Sequence, residues 1–177
     1  MNESDYWRVV SGPALNQGDL LHGCLVPVFD TVKLSGEVVE VPLDQADLLV
    51  ATQSCDLEQG KSPFVVLVRV TTMRVFGNAT PEMTGTQWNQ VVQRRIEYLL
   101  MLRSPELPEL GTDSLVVDFR QVVTLPIGWV ENHAASLGNR WRLKSPYLED
   151  FSQVFGNYFA RVALPAPIPR FKKDDFR

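Results

Sequence analysis

The sequence predicts an α+β fold, in the form of a small, strongly bent antiparallel β-barrel with two helices packed on it. Short runs of apolar and β-branched residues fill most of the first half of the chain, and turn residues separate them. Two segments with helical spacing of apolar residues follow, one near the middle and one near the C-terminus. This order of strands first, and then helices mixed with strands, favours α+β over a regularly alternating α/β fold.

The composition is that of an ordinary globular domain. The 177 residues fit one domain over residues 1–177, and hydrophobic residues make up 45% of them. The net charge of −4 argues against a broad basic surface for duplex nucleic acid, although 17 lysines and arginines could still line a local groove. No secretion signal opens the chain, and no apolar run approaches the ~20 residues of a membrane span. We therefore expect a cytoplasmic protein without a membrane partner.

The first half of the chain is predicted to hold four strands. Residues 1–16 are mostly polar and should dock loosely through two aromatic residues. A strand should follow over residues 20–29, with a bulge at Gly23. A short strand over 37–41 and a doubly buried strand over 48–51 come next.

The fourth strand, over residues 64–70, is the run richest in β-branched residues. A helix start follows at Thr84, which stands at capping-box spacing from Gln87. Residues 98–102 could end this helix or form a strand, and residues 115–123 should form another strand.

The C-terminal third should begin with a short helical piece after Pro126 and a short strand over 140–143. Ser145 followed by Pro146 is a strong helix start, and a wide apolar stripe extends from there to Val162. Such a stripe is either core or, if the barrel leaves it uncovered, a surface for a homodimer or another partner. The tail over 166–177 should be extended or frayed.

The polar loop between the strands at 48–51 and 64–70 is the first candidate site. Its candidate binding residues are Gln53, Ser54, Cys55, Asp56 and Lys61. Cys55 could be the nucleophile of a hydrolase only if its pKa were lowered, and the adjacent Asp56 carboxylate does the opposite. The alternative is a small buried cysteine that ends the strand, with Asp56 capping the next turn.

A metal site is the second candidate. His22 and Cys24 would share one face of a regular strand, and Cys55 could join them around a tetrahedral zinc ion. No CxxC or HxxxH pair anchors such a site, so we predict no metal and keep a structural zinc domain as an alternative. Phosphate-loop, dinucleotide-binding, zinc-protease and nucleophile-elbow motifs are absent too, and no cofactor is implied.

Arginines beside aromatic residues form the third candidate. Arg120 follows Asp118 and a phenylalanine, while Arg140 and Arg142 flank Trp141. Arginine that alternates with aromatic rings can stack on the bases of single-stranded nucleic acid. The alternative is an exposed strand face with Trp141 turned toward the core.

Five stretches of sequence stand out together: residues 18–21, 50–57 with Lys61, 117–120, 145–155 and 161–165. In these stretches, which span most of the chain, the protein resembles a group of small, mostly uncharacterised bacterial and phage-associated proteins. The opening Gly18-Asp19 strand and the order of elements also resemble the SH3-like barrels of the MazF/PemK type, some of which are single-strand RNA endonucleases. The early Gly-Ser-Glu loop of that family and its following Arg-Pro are absent, so no catalytic residue is carried over.

The expected function is that of a non-enzymatic binding module. Its partner should be a protein, or single-stranded RNA, in a toxin–antitoxin or phage-defence setting. The enzymatic alternatives are a MazF-type endoribonuclease and a hydrolase that depends on Cys55.

Overall fold

The computed structural model of the protein describes residues 6–28, 41–105 and 113–160. Its strands are β1 (Trp7–Ser11), β2 (Asp19–Pro27), β3 (Leu43–Val50), β4 (Phe64–Thr72), β5 (Leu99–Leu102), β6 (Leu115–Pro126) and β7 (Asn139–Leu143). Its helices are α1 (Ser54–Glu58), α2 (Met73–Ala79), α3 (Gly85–Val92), α4 (Ile127–Leu137) and α5 (Tyr147–Phe159). Among the described residues, no helix is both long and apolar enough to span a membrane.

All seven strands belong to one sheet in the order β1-β7-β2-β3-β4-β6-β5, and every neighbouring pair is antiparallel. The predicted α+β class is therefore confirmed. A closed barrel is not confirmed, because β1 and β5 stand at the two ends of an open row. The sheet is nevertheless bent, since the indole Nε1 of Trp7 in β1 donates a hydrogen bond of 2.8 Å to the Arg103 carbonyl just after β5.

Two apolar layers cover the two faces of the sheet. One face packs against α5, whose Phe151 is fully buried beside Leu49, Val68 and Val117. The other face packs against α4 through Val130 and further buried side chains. Helices α2 and α3 form a smaller apolar cluster with β5 and β6. The sheet is thus the middle layer, and α5 lies over the face that carries the candidate site.

Two bulges break the regular ladders of the sheet. The predicted bulge at Gly23 is confirmed, because the register shifts between Leu21 and Cys24 and Gly23 has a φ of +60°. A second, larger bulge was not predicted. Val68 pairs with Val122 and Val70 pairs with Val117, so β6 holds three more residues than β4 between these pairs. Its extra residues lie within 118–121, and bulges of this kind re-aim side chains.

The helices differ from the predictions in number as well as in bounds: two helices and a short helical piece were predicted, the described residues form five helices, and α1 and α2 were not predicted. The capping box of Thr84 and Gln87 is confirmed, and residues 99–102 form a strand because the helix ends at Val92. The short helical piece after Pro126 extends for 11 residues. Helix α5 carries the predicted stripe as far as Phe159. The expected strand over 37–41, apart from Val41, and the expected tail over 166–177 lie outside the described residues.

The N-terminal segment differs from the expectation of loose docking. Residues 7–11 pair with β7 along their whole length, and Trp7 is fully buried. Burying a large aromatic side chain stabilises a fold by about 1.5–3 kcal/mol, which explains why this short edge strand is held.

Candidate functional site

The segment over residues 52–54 is held in place by hydrogen bonds to β4 and to Gln17, and Gln17 in turn donates to α5. Thr52 Oγ1 accepts a 2.7 Å hydrogen bond from the backbone of Val66 in β4. Ser54 Oγ accepts from the backbone of Gln17, whose side-chain Nε2 donates to the Ala51 carbonyl and to Ser152 Oγ of α5. The segment is therefore a fixed corner between the sheet and α5. The sequence predicted a polar loop here, and its middle forms the short helix α1.

Asp56 and Lys61 close the loop that follows α1. Lys61 Nζ lies 3.0 Å from Asp56 Oδ1, and the backbone N–H of Lys61 donates to the Asp56 carbonyl. The hydrogen bond to the Asp56 carboxylate, together with its charge, raises the pKa of Lys61. The side chains are 54% and 40% exposed, so solvent screens this pair and it adds little stability. The Lys61 ammonium is thus already paired with the Asp56 carboxylate.

Cys55 is exposed on α1, so its interpretation as a small buried cysteine is wrong. Its Sγ lies 3.7 Å from Gln53 Oε1 and 3.8 Å from Asp56 Oδ1. Both neighbours are oxygen atoms that accept a hydrogen bond from the thiol. The hydrolase hypothesis for Cys55 also requires a base, and the described contacts of Cys55 include neither histidine.

A groove of about 520 Å³ opens between this corner and α5. Thr52, Gln53, Asp56 and Lys61 form its polar side. Its apolar side is made by residues from two distant elements, Phe64 and Val66 of β4 and Phe155 of α5. Phe64, the first residue of β4, is 49% exposed.

Sequence reasoning found the polar side of this groove and missed Phe64 and Phe155. Both belong to apolar patterns that the sequence assigns to core, and they line one groove with Gln53 because α5 crosses the sheet near this corner. The only available signal was that β4 begins with a phenylalanine directly after the turn residues 60–63.

Asp118 and Arg120 form a second polar arrangement on the large bulge of β6. Arg120 Nε and Nη2 donate to the two carboxylate oxygens of Asp118 at 2.9 and 2.8 Å, in the bidentate geometry that suits guanidinium. Gln121 Nε2 donates to the same carboxylate. The Arg120 guanidinium carbon lies 4.1 Å from the centre of the Tyr98 ring. Arg120 is thereby fixed in one orientation although its side chain is 48% exposed.

The ionisation of this pair follows from its contacts. Burial by itself raises the pKa of Asp118, but hydrogen bonds from the Arg120 side chain and backbone and from Gln121 outweigh it, so the pKa lies below its ordinary value. Hydrogen bonding to the Asp118 carboxylate in turn raises the pKa of Arg120.

Arg140, Trp141 and Arg142 of β7 lie inside the molecule, and the expected exposed strand face does not form. Trp141 is 3% exposed in the core. The Arg140 and Arg142 guanidiniums both bind the Asp19 carboxylate, which is fully buried. β7 lies between β1 and β2, so both of its edges are paired. This burial indicates a structural role for the two arginines.

The three candidate metal ligands are separated. Cys24 is fully buried among apolar residues, and burial raises the pKa of its thiol to about 11. The Gly23 bulge turns His22 away from Cys24 toward Asp47, and Cys55 is exposed on α1. Within the described ranges, no three histidine, cysteine, aspartate or glutamate side chains come together in a way that could hold a metal ion.

No protein-family model matches the chain, and none of the proteins with curated functions matches it.

Proposed function

We propose that the protein is a binding module that holds an apolar side chain of a protein partner in the groove between residues 52–66 and α5. The observation that carries the proposal is the half-exposed Phe64, which together with Phe155 lines the apolar side of a groove whose other side is polar. Mostly apolar concavities with a few fixed polar groups are typical of binding sites. The Gln53 amide and the Asp56–Lys61 pair are positioned to bind the backbone of the partner.

The chemistry of the partner follows from the two sides of this groove. An aromatic or long aliphatic side chain of the partner would cover Phe64 and Phe155. The backbone amide groups of the partner would then lie beside Gln53 and Thr52. The Asp56–Lys61 pair carries no net charge, so the groove favours an uncharged stretch of peptide over the phosphates of RNA. Single-stranded RNA is therefore the competing ligand in the test.

The test is selection of a displayed random-peptide library on the purified protein. We expect enriched peptides that share one large apolar residue, and we expect Phe64→Ser to weaken their binding at least tenfold. Trp129→Ser is the matched control, because Trp129 is 47% exposed on α4 and lines a different pocket. Absence of enrichment, or equal binding by Phe64→Ser, would contradict the proposal. If the protein bound labelled single-stranded RNA and Phe64→Ser abolished that binding, the ligand of the groove would be RNA and not a peptide.

The proposed setting is a cytoplasmic toxin–antitoxin or phage-defence system, as the resemblance of residues 50–57 and 145–155 implies. The close approach of Trp7 to Arg103 supports a barrel-like sheet of the SH3-like kind. Phe159 near the end of α5 is 51% exposed, which supports the further proposal of a homodimer through this helix. Light scattering would detect that dimer, and Phe159→Ser should dissociate it.

A hydrolase centred on Cys55 is the second candidate, and the exposure of its thiol is the observation that favours it. Its first requirement is a reactive thiolate at neutral pH. A thiol reagent should modify Cys55 in the folded protein and Cys24 only after unfolding, because Cys24 is buried and its pKa is raised to about 11. If the reagent labelled Cys55 no faster than it labels a free thiol, the hypothesis that Cys55 is a nucleophile would be excluded. The Cys55→Ala variant supplies the background rate of labelling.

A further inference from the structure

A pocket of about 410 Å³ opens beside the first two turns of α5. Its described lining residues are Gln17 from the loop before β2 and, from α5, Leu148, Glu149, Ser152 and Gln153. The last three of these α5 residues are spaced three and four positions from Glu149, so their side chains share one face of the helix. The volume lies within the range of ordinary small-ligand sites, which is about 300–1,000 Å³.

The side chain of Gln17 presents its carbonyl oxygen to this pocket. Gln17 is only 9% exposed, and its Nε2 donates to the Ala51 carbonyl at 3.0 Å and to Ser152 Oγ at 3.3 Å. Because a carbonyl oxygen only accepts, the bond to Ala51 determines which end of the Gln17 amide is the nitrogen. Gln17 Oε1 has no hydrogen-bond partner within the described part of the chain, and it is not one of the enclosed polar atoms that lack a partner. It is therefore an acceptor that is open to the pocket.

Glu149 adds a negative charge to the same pocket. It forms no ion pair with any residue in the described ranges, whereas the adjacent Asp150 is paired with Arg94. The N-terminus of a helix carries a partial positive charge of about half a unit, which the full charge of Glu149 outweighs. The described lining residues include no lysine, arginine or histidine. The pocket is thus negative and disfavours anions.

The free polar atoms of the pocket define the group that it can hold. Gln17 Oε1 and the Glu149 carboxylate are acceptors, and Ser152 Oγ accepts one hydrogen bond from Gln17 and keeps a second lone pair. A primary ammonium group carries one positive charge and three N–H donors, which match these acceptors in charge and in number. A hydroxyl group has one donor and would leave Glu149 without an opposite charge. Leu148 provides an apolar wall for the carbon atoms beside the nitrogen.

We propose that this pocket binds a primary ammonium group, with Gln17 Oε1 and Glu149 as its principal acceptors. The ammonium group has two possible sources, a free amine and a peptide that occupies the groove. Glu149 precedes Phe155 by six residues of α5, which is about 9 Å along the helix axis. About three residues of extended peptide span this distance. The peptide source rests on the proposed function, whereas the preference of the pocket for an ammonium group does not.

Titration with n-butylamine at pH 7 and constant ionic strength, followed by nuclear magnetic resonance, tests the pocket without a peptide. The amine is protonated at this pH, because alkylammonium groups have a pKa of about 10. We expect the side-chain Nε2 signals of Gln17 to shift as the amine binds. n-Butyltrimethylammonium has the same charge and no N–H donor, and n-butanol has no charge. Both should bind roughly tenfold or more weakly, because they lose hydrogen bonds between charged groups.

Two variants test the role of the carboxylate. Glu149→Gln keeps the shape of the side chain and removes its charge, and it should weaken n-butylamine binding by roughly two- to fivefold, since Glu149 is exposed and solvent screens its charge. Glu131→Gln is the matched control, because Glu131 belongs to α4 on the other face of the sheet. It should bind n-butylamine as the native protein does. Circular dichroism should show that both variants are folded.

Three results would overturn the proposal. They are Gln17 signals that stay in place at high n-butylamine concentration, equal binding of n-butyltrimethylammonium, and equal binding of n-butylamine by Glu149→Gln.

The peptide selection separates the two sources of the ammonium group. Enriched peptides with a lysine about three residues from the large apolar residue, and loss of this preference in Glu149→Gln, would identify a peptide. Apolar enrichment without lysine, together with binding of n-butylamine, would identify a free amine. If the selection enriches no peptide, the proposed function of the groove fails, and the n-butylamine titration still decides whether the pocket binds an ammonium group.

Discussion

Asp19 and Asp118 are both buried and both bind arginine, but the arginines of Asp19 are buried whereas the arginine of Asp118 is exposed. The Asp19 side chain is fully buried, and the side chains of its partners Arg140 and Arg142 are 1% and 10% exposed. Asp118 is 4% exposed, but its partner Arg120 is 48% exposed. The first arrangement encloses its charges, whereas the second encloses only the carboxylate.

The difference shows that the burial of the arginine determines what an aspartate–arginine pair does in the fold. In the Asp19 network, Arg140 also donates to the carbonyls of Gly12 and Ala14, so its guanidinium N–H groups form hydrogen bonds within the protein. These bonds hold the loop before β2. In the Asp118 pair, the buried carboxylate fixes a guanidinium that remains at the surface, where its orientation is already ordered before any ligand binds.

The largest expected effect is that of Asp19→Asn. It leaves two buried guanidiniums without their carboxylate, and removing one partner of a buried ion pair costs about 3–5 kcal/mol of stability. Denaturant unfolding followed by circular dichroism measures the loss. Asp44→Asn is the control, because the Asp44–Arg69 side chains are 56% and 36% exposed and their pair contributes about 0.5 kcal/mol. Equal losses in the two variants would mean that the depth of the pair does not determine its contribution.

Arg140→Ala should cost less, about 2–3 kcal/mol, because Arg142 still neutralises Asp19 while the hydrogen bonds of Arg140 are lost. We also expect a local effect. The backbone N–H groups of Asn16 and Gln17 donate to Asp19 and Ser54 in the intact loop, and their hydrogen exchange should become faster. Unchanged exchange at both amides would show that Arg140 does not hold the loop.

Arg120→Ala should cost about 1–2 kcal/mol at neutral pH, since it leaves the buried Asp118 carboxylate with fewer donors and solvent already screens the exposed guanidinium. The folded-state pKa of Asp118 is below its ordinary value. This contribution to stability is therefore complete above the ordinary aspartate pKa of about 4 and is lost as the pH falls through the lower folded pKa. Unfolding of both proteins between pH 7 and pH 2 should show the difference shrinking in that acidic range. A difference that stays constant with pH would argue against the ion pair.

Tyr98→Leu should have the smallest effect, about 0.5 kcal/mol, because it removes a cation–π contact at a partly exposed site and keeps an apolar side chain. A double-mutant cycle with Arg120→Ala isolates the contact. Strictly additive losses would show that Tyr98 and Arg120 do not interact.

Local patterns predicted the elements that depend on neighbouring residues. The Gly23 bulge, the Thr84 capping box and the aromatic stripe of α5 each follow from spacing within a few residues of chain. The three-residue bulge of β6 was not visible, because residues 117–122 have the composition of a regular strand and only the pairing with β4 shows the excess. The same holds for β1, whose place in the sheet depends on a partner more than 100 residues away.

The sequence by itself determined the α+β class, and it proposed the polar segment at residues 52–56 as a candidate site. Only the tertiary structure decided that Arg140 and Arg142 are buried while Arg120 is exposed. It also decided that Cys55 is exposed while Cys24 is buried, and that Phe64 and Phe155 line the same groove. The physical reason is that burial and pairing depend on which distant strand or helix covers a side chain. Local spacing predicts a face of a helix or strand, and it cannot predict what that face will meet.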